Sequence, residues 1–280
     1  MAAPVGLIAG FGRFPVELAR AARHSGRAIA AVGIRDLAPP ELEAEVDHFT
    51  PLHLGELGRL FASFRESGVA EVVFAGKVPK TLLARPQDLH LDERALALLR
   101  GLADRKDDSI LGALADAIEA EGFRLLPQLA LAPELTAPEG ALGSVAASDD
   151  QRRDVAFAWP VAKALGGLDV GQTVVVQDRA VLALEAIEGT DEAIRRGCAL
   201  GRPGACVVKV AKPRQDPRFD VPAVGPSTLR AMTEGGAALL AVEAGATLLL
   251  ERQTLVAEAD AAGVALLGIR DGAAAAGAAR

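Results

Sequence analysis

Apolar residues in this chain fall into short unbroken runs, set apart by glycines and by amphipathic stretches. Val5–Ala9 (VGLIA), Ala28–Gly33 (AIAAVG) and Glu71–Ala75 (EVVFA) read as strands buried on both faces, as in a parallel sheet. Pro15–Ser25 and Glu56–Ser67 read as helices between them. Pro15 suits a first helical turn, and Gly26 and Gly68 suit helix ends. Ser109–Glu121, closed by Gly122, predicts a further helix, and Phe123–Leu126 a strand. Strand, glycine turn, helix and strand in this order predict an α/β fold.

The periodicity lapses where Pro133, Pro138, Gly140 and Gly143 cluster. Residues 133–145 are therefore expected to link a first domain, 1–132, to a second α/β domain, 146–280. The second domain should open with a helix over Asp149–Leu165. Gly171–Gln177 and Ala180–Ala186 predict a hairpin turning at Asp178-Arg179. A helix over Asp191–Cys198, capped by Thr190 or Asp191, and a strand over Ala205–Val210 follow. Ser227–Glu234 and Arg252–Ala262 read as helices, with strands at Ala238–Val242, Thr247–Leu250 and Val264–Ile269. Residues 271–280 are low in complexity.

Composition narrows the function classes. The net charge of −7 argues against non-specific nucleic-acid binding. Cys198 and Cys206 make neither a disulfide framework nor a zinc site, which fits a reducing cytoplasm. Asp47, His48 and His53 lie close in sequence and read as a solvated edge sooner than as metal ligands. The first residues carry no charged leader region, and no run approaches the ~20 apolar residues of a membrane span. A soluble cytoplasmic protein is expected.

Candidate chemistry gathers at strand ends. Gly10 and Gly12 sit between a strand and a helix, where a backbone can approach a phosphate; a plain tight turn explains them equally. The third glycine of a dinucleotide fingerprint would fall on Pro15, which disfavours an NAD(P)-dependent oxidoreductase. Gly76 and Lys77, with Lys80, follow another strand and are candidates for a phosphate. Asp107 and Asp108, after Arg105 and Lys106, read as helix caps or as residues facing a cleft. Glu185, Glu188 and Asp191 cluster at a strand end around Gly189 and Thr190, a set of oxygens that suits a hard cation such as Mg²⁺.

The most unusual stretch is Ala211–Gly225, AKPRQDPRFDVPAVG: charges spaced by Pro213, Pro217 and Pro222, lying between two hydrophobic segments. Lys209, Lys212 and Arg218 could neutralise a diphosphate. A carboxylate such as Asp216 or Asp220 could hold a cation or take a proton from water. The prolines lower the entropic cost of ordering the loop. Gln215 lies within it, and Thr228 opens the helix that follows.

Four segments in order, GLIAGFGRFPVELA, VVFAGKVPK, EAIEGTDEAIRR and VKVAKPRQDPRFDVPAVGPSTL, resemble the UDP-2,3-diacylglucosamine pyrophosphatase family of the LpxI type. The similarity runs from about Gly6 to Ile269. It implies a Rossmann-like N-terminal domain, a C-terminal α/β domain of different topology, and a lipid ligand held between them in a homodimer. The implied reaction is cation-dependent hydrolysis of UDP-2,3-diacylglucosamine to UMP and 2,3-diacylglucosamine 1-phosphate, in lipid A biosynthesis. The family's catalytic aspartate corresponds to Asp220, through the spacing of Arg218, Asp220 and Pro222. Phe11 stands where a small or polar residue is expected of the family. With the resemblance, the candidate catalytic residues are Asp220, Lys212 and Arg218. Candidate substrate contacts are Gly10, Gly12, Gly76, Lys77, Asp108, Gln172, Gly189, Thr190, Lys209, Gln215 and Thr228. Asp220, Glu188 and Asp191 are the candidate ligands of Mg²⁺ or another divalent cation. The place of work would be the cytoplasm, with peripheral contact at the inner face of the inner membrane. A non-catalytic lipid- or nucleotide-binding protein is the alternative from another class.

Overall fold

The computed structural model describes residues 3–79, 89–102 and 107–270, without the side chains of 107 and 108. It divides into two compact units. The first comprises Met1–Pro133 together with Pro217–Phe219; the second comprises Glu134–Asp216 and Asp220–Arg280.

In the first unit the chain forms β1 (Val5–Ala9), α1 (Phe14–His24), β2 (Ile29–Ile34), β3 (His48–Leu52), α2 (Leu57–Glu66), β4 (Glu71–Ala75), α3 (Glu93–Gly101), α4 (Asp107–Ala120) and β5 (Arg124–Leu125). All five strands are parallel, in the order β3-β2-β1-β4-β5. That is the order of a Rossmann sheet lacking its last strand. β1 and β2 are buried along their whole length, which explains their continuous apolar sequence. α1 turns Val16, Leu18, Ala19 and Ala22 inward and packs against β2 and β4. Leu60, Phe61 and Phe64 of α2 join Ile8, Val72 and Phe74 in one core, with Ala115 and Ile118 of α4.

Two elements here go beyond the sequence reading. The edge strand β3 exposes two residues to solvent, His48 and Pro51, so it lacks an apolar run; proline is tolerated because an edge needs only one ladder. Asp47, ahead of it, accepts the Ile29 N–H at 2.8 Å, a role within the sheet. α3 buries only Ala95 among its residues and so shows little periodicity; Asp92 caps it through the Ala95 N–H.

The second unit contains β6 (Gly140–Ala141), α5 (Asp149–Gly167), β7 (Thr173–Gln177), β8 (Ala180–Leu184), α6 (Thr190–Leu200), β9 (Cys206–Lys209), β10 (Ala223–Val224), α7 (Pro226–Gly235), β11 (Leu239–Glu243), β12 (Leu248–Leu249), α8 (Arg252–Ala261) and β13 (Ala265–Ile269). The main sheet runs β6-β13-β11-β9-β7-β8, with β13, β11 and β9 parallel and antiparallel strands at both sides. β10 and β12 form a separate parallel pair. The stretch expected as a linker supplies β6, which pairs with β13 through Gly140 and Ala141.

Successive residues of the central strands point to opposite faces, and both faces are buried. Val174, Val176, Cys206, Val208, Leu239 and Ala241 meet Val155, Ala158, Trp159 and Ala162 of α5. Val175, Val207, Leu240 and Val242 meet residues of α6, α7 and α8, among them Ile194, Leu229 and Leu255. Helices thus cover both sheet faces. α5 begins with a capping box, Ser148 with Gln151.

The predicted hairpin is present, and Asp178 and Arg179 both have positive φ, 51° and 57°, as a two-residue I′ turn requires. Neither is a glycine. Buried Asp154 compensates by accepting the Asp178 and Arg179 N–H groups at 3.0 and 2.6 Å. Asp154→Ala removes both acceptors and is expected to destabilise the protein by about 2 kcal/mol. Thermal denaturation checks this; an unchanged Tm would contradict it.

Cys206 is fully buried, and burial, with the neighbouring Asp154 charge, pushes its thiol up to about 12. Burial also raises the Cys198 thiol. Neither thiol should react with a disulfide reagent at pH 8 until the protein is unfolded. Rapid labelling of the native protein would refute this.

Candidate active site

In the first unit the strand order reverses between β1 and β4, the switch point at which open α/β sheets bind ligands. The loops leaving these strands are joined by backbone. The Gly10 N–H donates to Ala75 O at 2.9 Å, and Phe11 and Lys77 exchange bonds of 2.8 and 2.9 Å. A Cβ on Gly10 would lie 2.6 Å from the Lys77 carbonyl oxygen. One on Gly76 would lie 2.7 Å from Gly10 C, and Gly76 also has φ +87°. The approach of two loops therefore suffices to require these glycines. Gly12 has φ +105° with open space around it, and the Lys77 side chain is exposed. Arg13 at the start of α1 provides no side-chain cap, and Phe11 is 59% exposed at the loop tip.

In the second unit chemistry concentrates where β9 ends. The loop after it is pinned at its start: Lys163 of α5 donates to Ala211 O at 2.9 Å and to Glu243 at 2.5 Å, and Glu243 accepts the Ala211 N–H at 2.8 Å. Gln215 ties the two ends of the charged turn together. Its Oε1 accepts from Lys212 N at 3.0 Å, and its Nε2 donates to Asp220 O at 2.7 Å. The Lys212 Nζ lies between two carboxylates, 2.6 Å from Asp169 Oδ1 and 2.8 Å from Asp220 Oδ2. Asp169 and Asp220 both have positive φ, 56° and 59°. Lys212 is 11% exposed, Asp169 25% and Asp220 36%, so the lysine is largely covered while both carboxylates reach solvent, Asp220 the more.

A second polar chain runs beside this turn. Lys209, buried at the end of β9, donates to Thr190 Oγ1 at 2.8 Å. Thr190 in turn donates to Glu185 Oε1 at 2.9 Å. Gln172 reaches Glu185 through its backbone N–H at 3.2 Å. Burial pushes the Glu185 carboxyl up, but the Lys209 ammonium and the hydrogen bonds from Thr190 and Gln172 outweigh it and hold the group below its ordinary value. Glu185 therefore stays an anion and keeps the buried Lys209 compensated. Thr190 is the first residue of α6, where Gly189 (φ 84°) is the N-cap. Its hydroxyl serves the lysine and not the helix end.

The remaining candidates have separate placements. Arg218 is counted with the first unit, where it pairs with Glu119 of α4 at 3.0 Å and lies over the Phe219 ring. Glu188 is drawn to Arg196 at 2.5 Å, which lowers its carboxyl below the ordinary range. Asp191 stands in the first turn of α6, where its charge suits the helix dipole. Thr228 is buried in the first turn of α7. The side chain of Asp108, and Lys80, Arg105 and Lys106, lie outside the described residues.

Among the described residues, no three His, Cys, Asp or Glu side chains come together as a metal-ligand group. Asp220, Glu188 and Asp191 do not form one: Asp220 pairs with Lys212, Glu188 with Arg196, and Asp191 stands in the first turn of α6. The donor set at the charged turn is nonetheless all oxygen, with Asp220 the more exposed of the two carboxylates on Lys212. It fits Mg²⁺ in its usual enzymatic mode, which uses one or two protein carboxylates and takes the other ligands from substrate phosphates and water.

Sequence reasoning did not single out Asp169, Lys163 or Glu243; it named Glu185 in a carboxylate cluster but chose Glu188 and Asp191 from that cluster as candidate cation ligands. Glu185 directly follows β8, and its partners Lys209 and Thr190 lie on other elements. Lys163 and Glu243 sit 80 positions apart and meet only through the fold.

Family models described as the LpxI N-terminal domain and the LpxI C-terminal domain match residues 4–135 and 138–267. A protein from Caulobacter vibrioides named UDP-2,3-diacylglucosamine pyrophosphatase LpxI is 37% identical over 279 residues, which cover 95% of this chain and 97% of the relative. Among solved structures, the biotin carboxylase domain of a single-chain bacterial carboxylase is 17% identical over 56% of this chain and 29% of its own, with a TM-score of 0.28. That of a thermophilic 2-oxoglutarate carboxylase bound to ADP is 14% identical over 71% of this chain and 33% of its own, with a TM-score of 0.26. Overlaps this loose support no argument. Two family models spanning both units, and a relative matched almost end to end, place the chain in the LpxI family.

Proposed function

We propose that this protein hydrolyses the diphosphate of UDP-2,3-diacylglucosamine, giving UMP and 2,3-diacylglucosamine 1-phosphate, in lipid A biosynthesis. The observation that carries the reading at this site is Lys212 fixed between Asp169 and Asp220 on a turn closed by Gln215. A diphosphate needs positive charge held in place, and hydrolysis needs a group that orients water and takes its proton. Lys212 supplies the first, with Lys209 behind it. Asp220 supplies the second. A water oxygen bonds to one phosphorus, the bridging P–O bond breaks with its electron pair going to the leaving phosphate, and the proton from water passes to the Asp220 carboxylate. Arg218, Gly10, Gly12, Gly76, Lys77 and Thr228 are proposed substrate contacts.

A divalent cation is part of the proposal. Asp220 would hold it together with diphosphate oxygens, and when bound it would neutralise charge on the diphosphate. The substrate's acyl chains partition into lipid, so the reaction belongs in the cytoplasm at the inner face of the inner membrane, catalysed by a homodimer. Among the described residues, no helix is long and apolar enough to cross a membrane.

Phosphorus NMR of the purified protein with substrate tests the reading. With Mg²⁺ the two diphosphate resonances should give way to two monoester resonances of equal area, and with EDTA they should persist. Diphosphate that stays intact in both conditions would overturn it.

A further inference from the structure

The end of α5 is built in an unusual way. Five other helices among the described residues, α1, α2, α4, α7 and α8, end through a glycine with positive φ: Gly26, Gly68, Gly122, Gly236 and Gly263. α5 ends instead through Asp169, at φ 56°. Glycine adopts this conformation freely, while a residue with a Cβ is strained there. A carboxylate is also the wrong charge for a helix C-terminus. The sequence offers Gly166 and Gly167 just before, yet places aspartate at the left-handed position. The reason lies in what its side chain reaches. Asp169 Oδ1 sits 2.6 Å from Lys212 Nζ. Gly166 lets this helix end close on the lysine: a Cβ there would come within 3.2 Å of Lys212 Cα.

We infer that Asp169 is a positioning residue for the hydrolysis, holding the Lys212 ammonium in place so that Asp220 can turn to water or cation without losing the lysine. The inference rests on the proposed function of this site. Of these two carboxylates on Lys212, Asp220 is the more exposed, 36% against 25% for Asp169. When substrate engages Asp220, Asp169 still holds the ammonium. Without it the ammonium follows Asp220 and closes the pair on itself.

Asp169→Gly separates this role from a structural one, because glycine suits the backbone at that position better than aspartate does. The variant should melt close to wild type, while kcat falls on the order of 10- to 100-fold with KM changed little. Asp169→Asn, which keeps an acceptor oxygen without its charge, should recover part of the loss. In a Lys212→Ala background, Asp169→Gly should cost no more than about 2-fold further, because its effect passes through the lysine. A wild-type kcat in Asp169→Gly overturns the inference, as does an undiminished loss in the Lys212→Ala background. A protein-only arm works even if no hydrolysis is found. Acetylation of Lys212 by an amine-reactive ester, followed by peptide mass spectrometry, should run several-fold faster in Asp169→Gly than in wild type. Equal rates would show that Asp169 does not hold the lysine. Absence of hydrolysis by wild type would count against the proposed function alone.

Discussion

Asp220→Asn is expected to lower UMP release by on the order of 10²–10³ while leaving the folded protein intact. Asparagine matches aspartate in size and tolerates positive φ, so the strained position at 59° is no obstacle. The Asp220 backbone bond to Gln215 does not involve the side chain and should survive. What is lost is the carboxylate that takes the proton from water and pairs with Lys212 at 2.8 Å. Steady-state release of UMP, beside a thermal melt of the same preparation, measures both quantities. Near-normal turnover would remove Asp220 from the chemistry. A collapsed melting curve would make its role structural.

A large effect on stability is expected in the first unit. Gly76→Ala places a Cβ 2.7 Å from the Gly10 backbone carbon, and no flexible side chain stands there to move aside. It also forces alanine to φ +87°. Left-handed backbone costs roughly 1–2 kcal/mol, and overpacking against a rigid neighbour about 1–3 kcal/mol. Together they are expected to destabilise the protein by about 3 kcal/mol, which shifts the melting point on the order of 10 °C. Gly12→Ala is the control: its φ of +105° carries strain, but no atom lies within 4 Å of the added carbon. It should cost clearly less than Gly76→Ala. Equal losses would show that the joined loops contribute nothing, and that backbone conformation alone sets the cost.

Short unbroken apolar runs made most of both sheets legible. A strand covered by helices on both faces must be largely apolar, and VGLIA, EVVFA and CVVK announce themselves on that ground. β3 did not, because an edge strand can carry His48 and Pro51. The charged turn was legible for the opposite reason: lysine, arginine and aspartate locked by prolines have no place in a core. Its partners were harder to read. Asp169 follows a helix end and looks like a surface residue until the fold brings Lys212, 43 positions on, against it. Glu185 and Lys209 are bridged by the hydroxyl of Thr190, which the sequence offers equally well as a helix cap. Pairings of this kind are fixed by sheet order, and no local pattern carries them.

The most direct measurement is the appearance of UMP from UDP-2,3-diacylglucosamine with purified wild-type protein and Mg²⁺, set beside Asp220→Asn purified in parallel to expose any contaminating hydrolase. UMP and the lipid monophosphate should appear in equal amounts with wild type and fall to a small fraction with the variant. Equal UMP from both proteins, or none from a folded wild type, would contradict the proposed function.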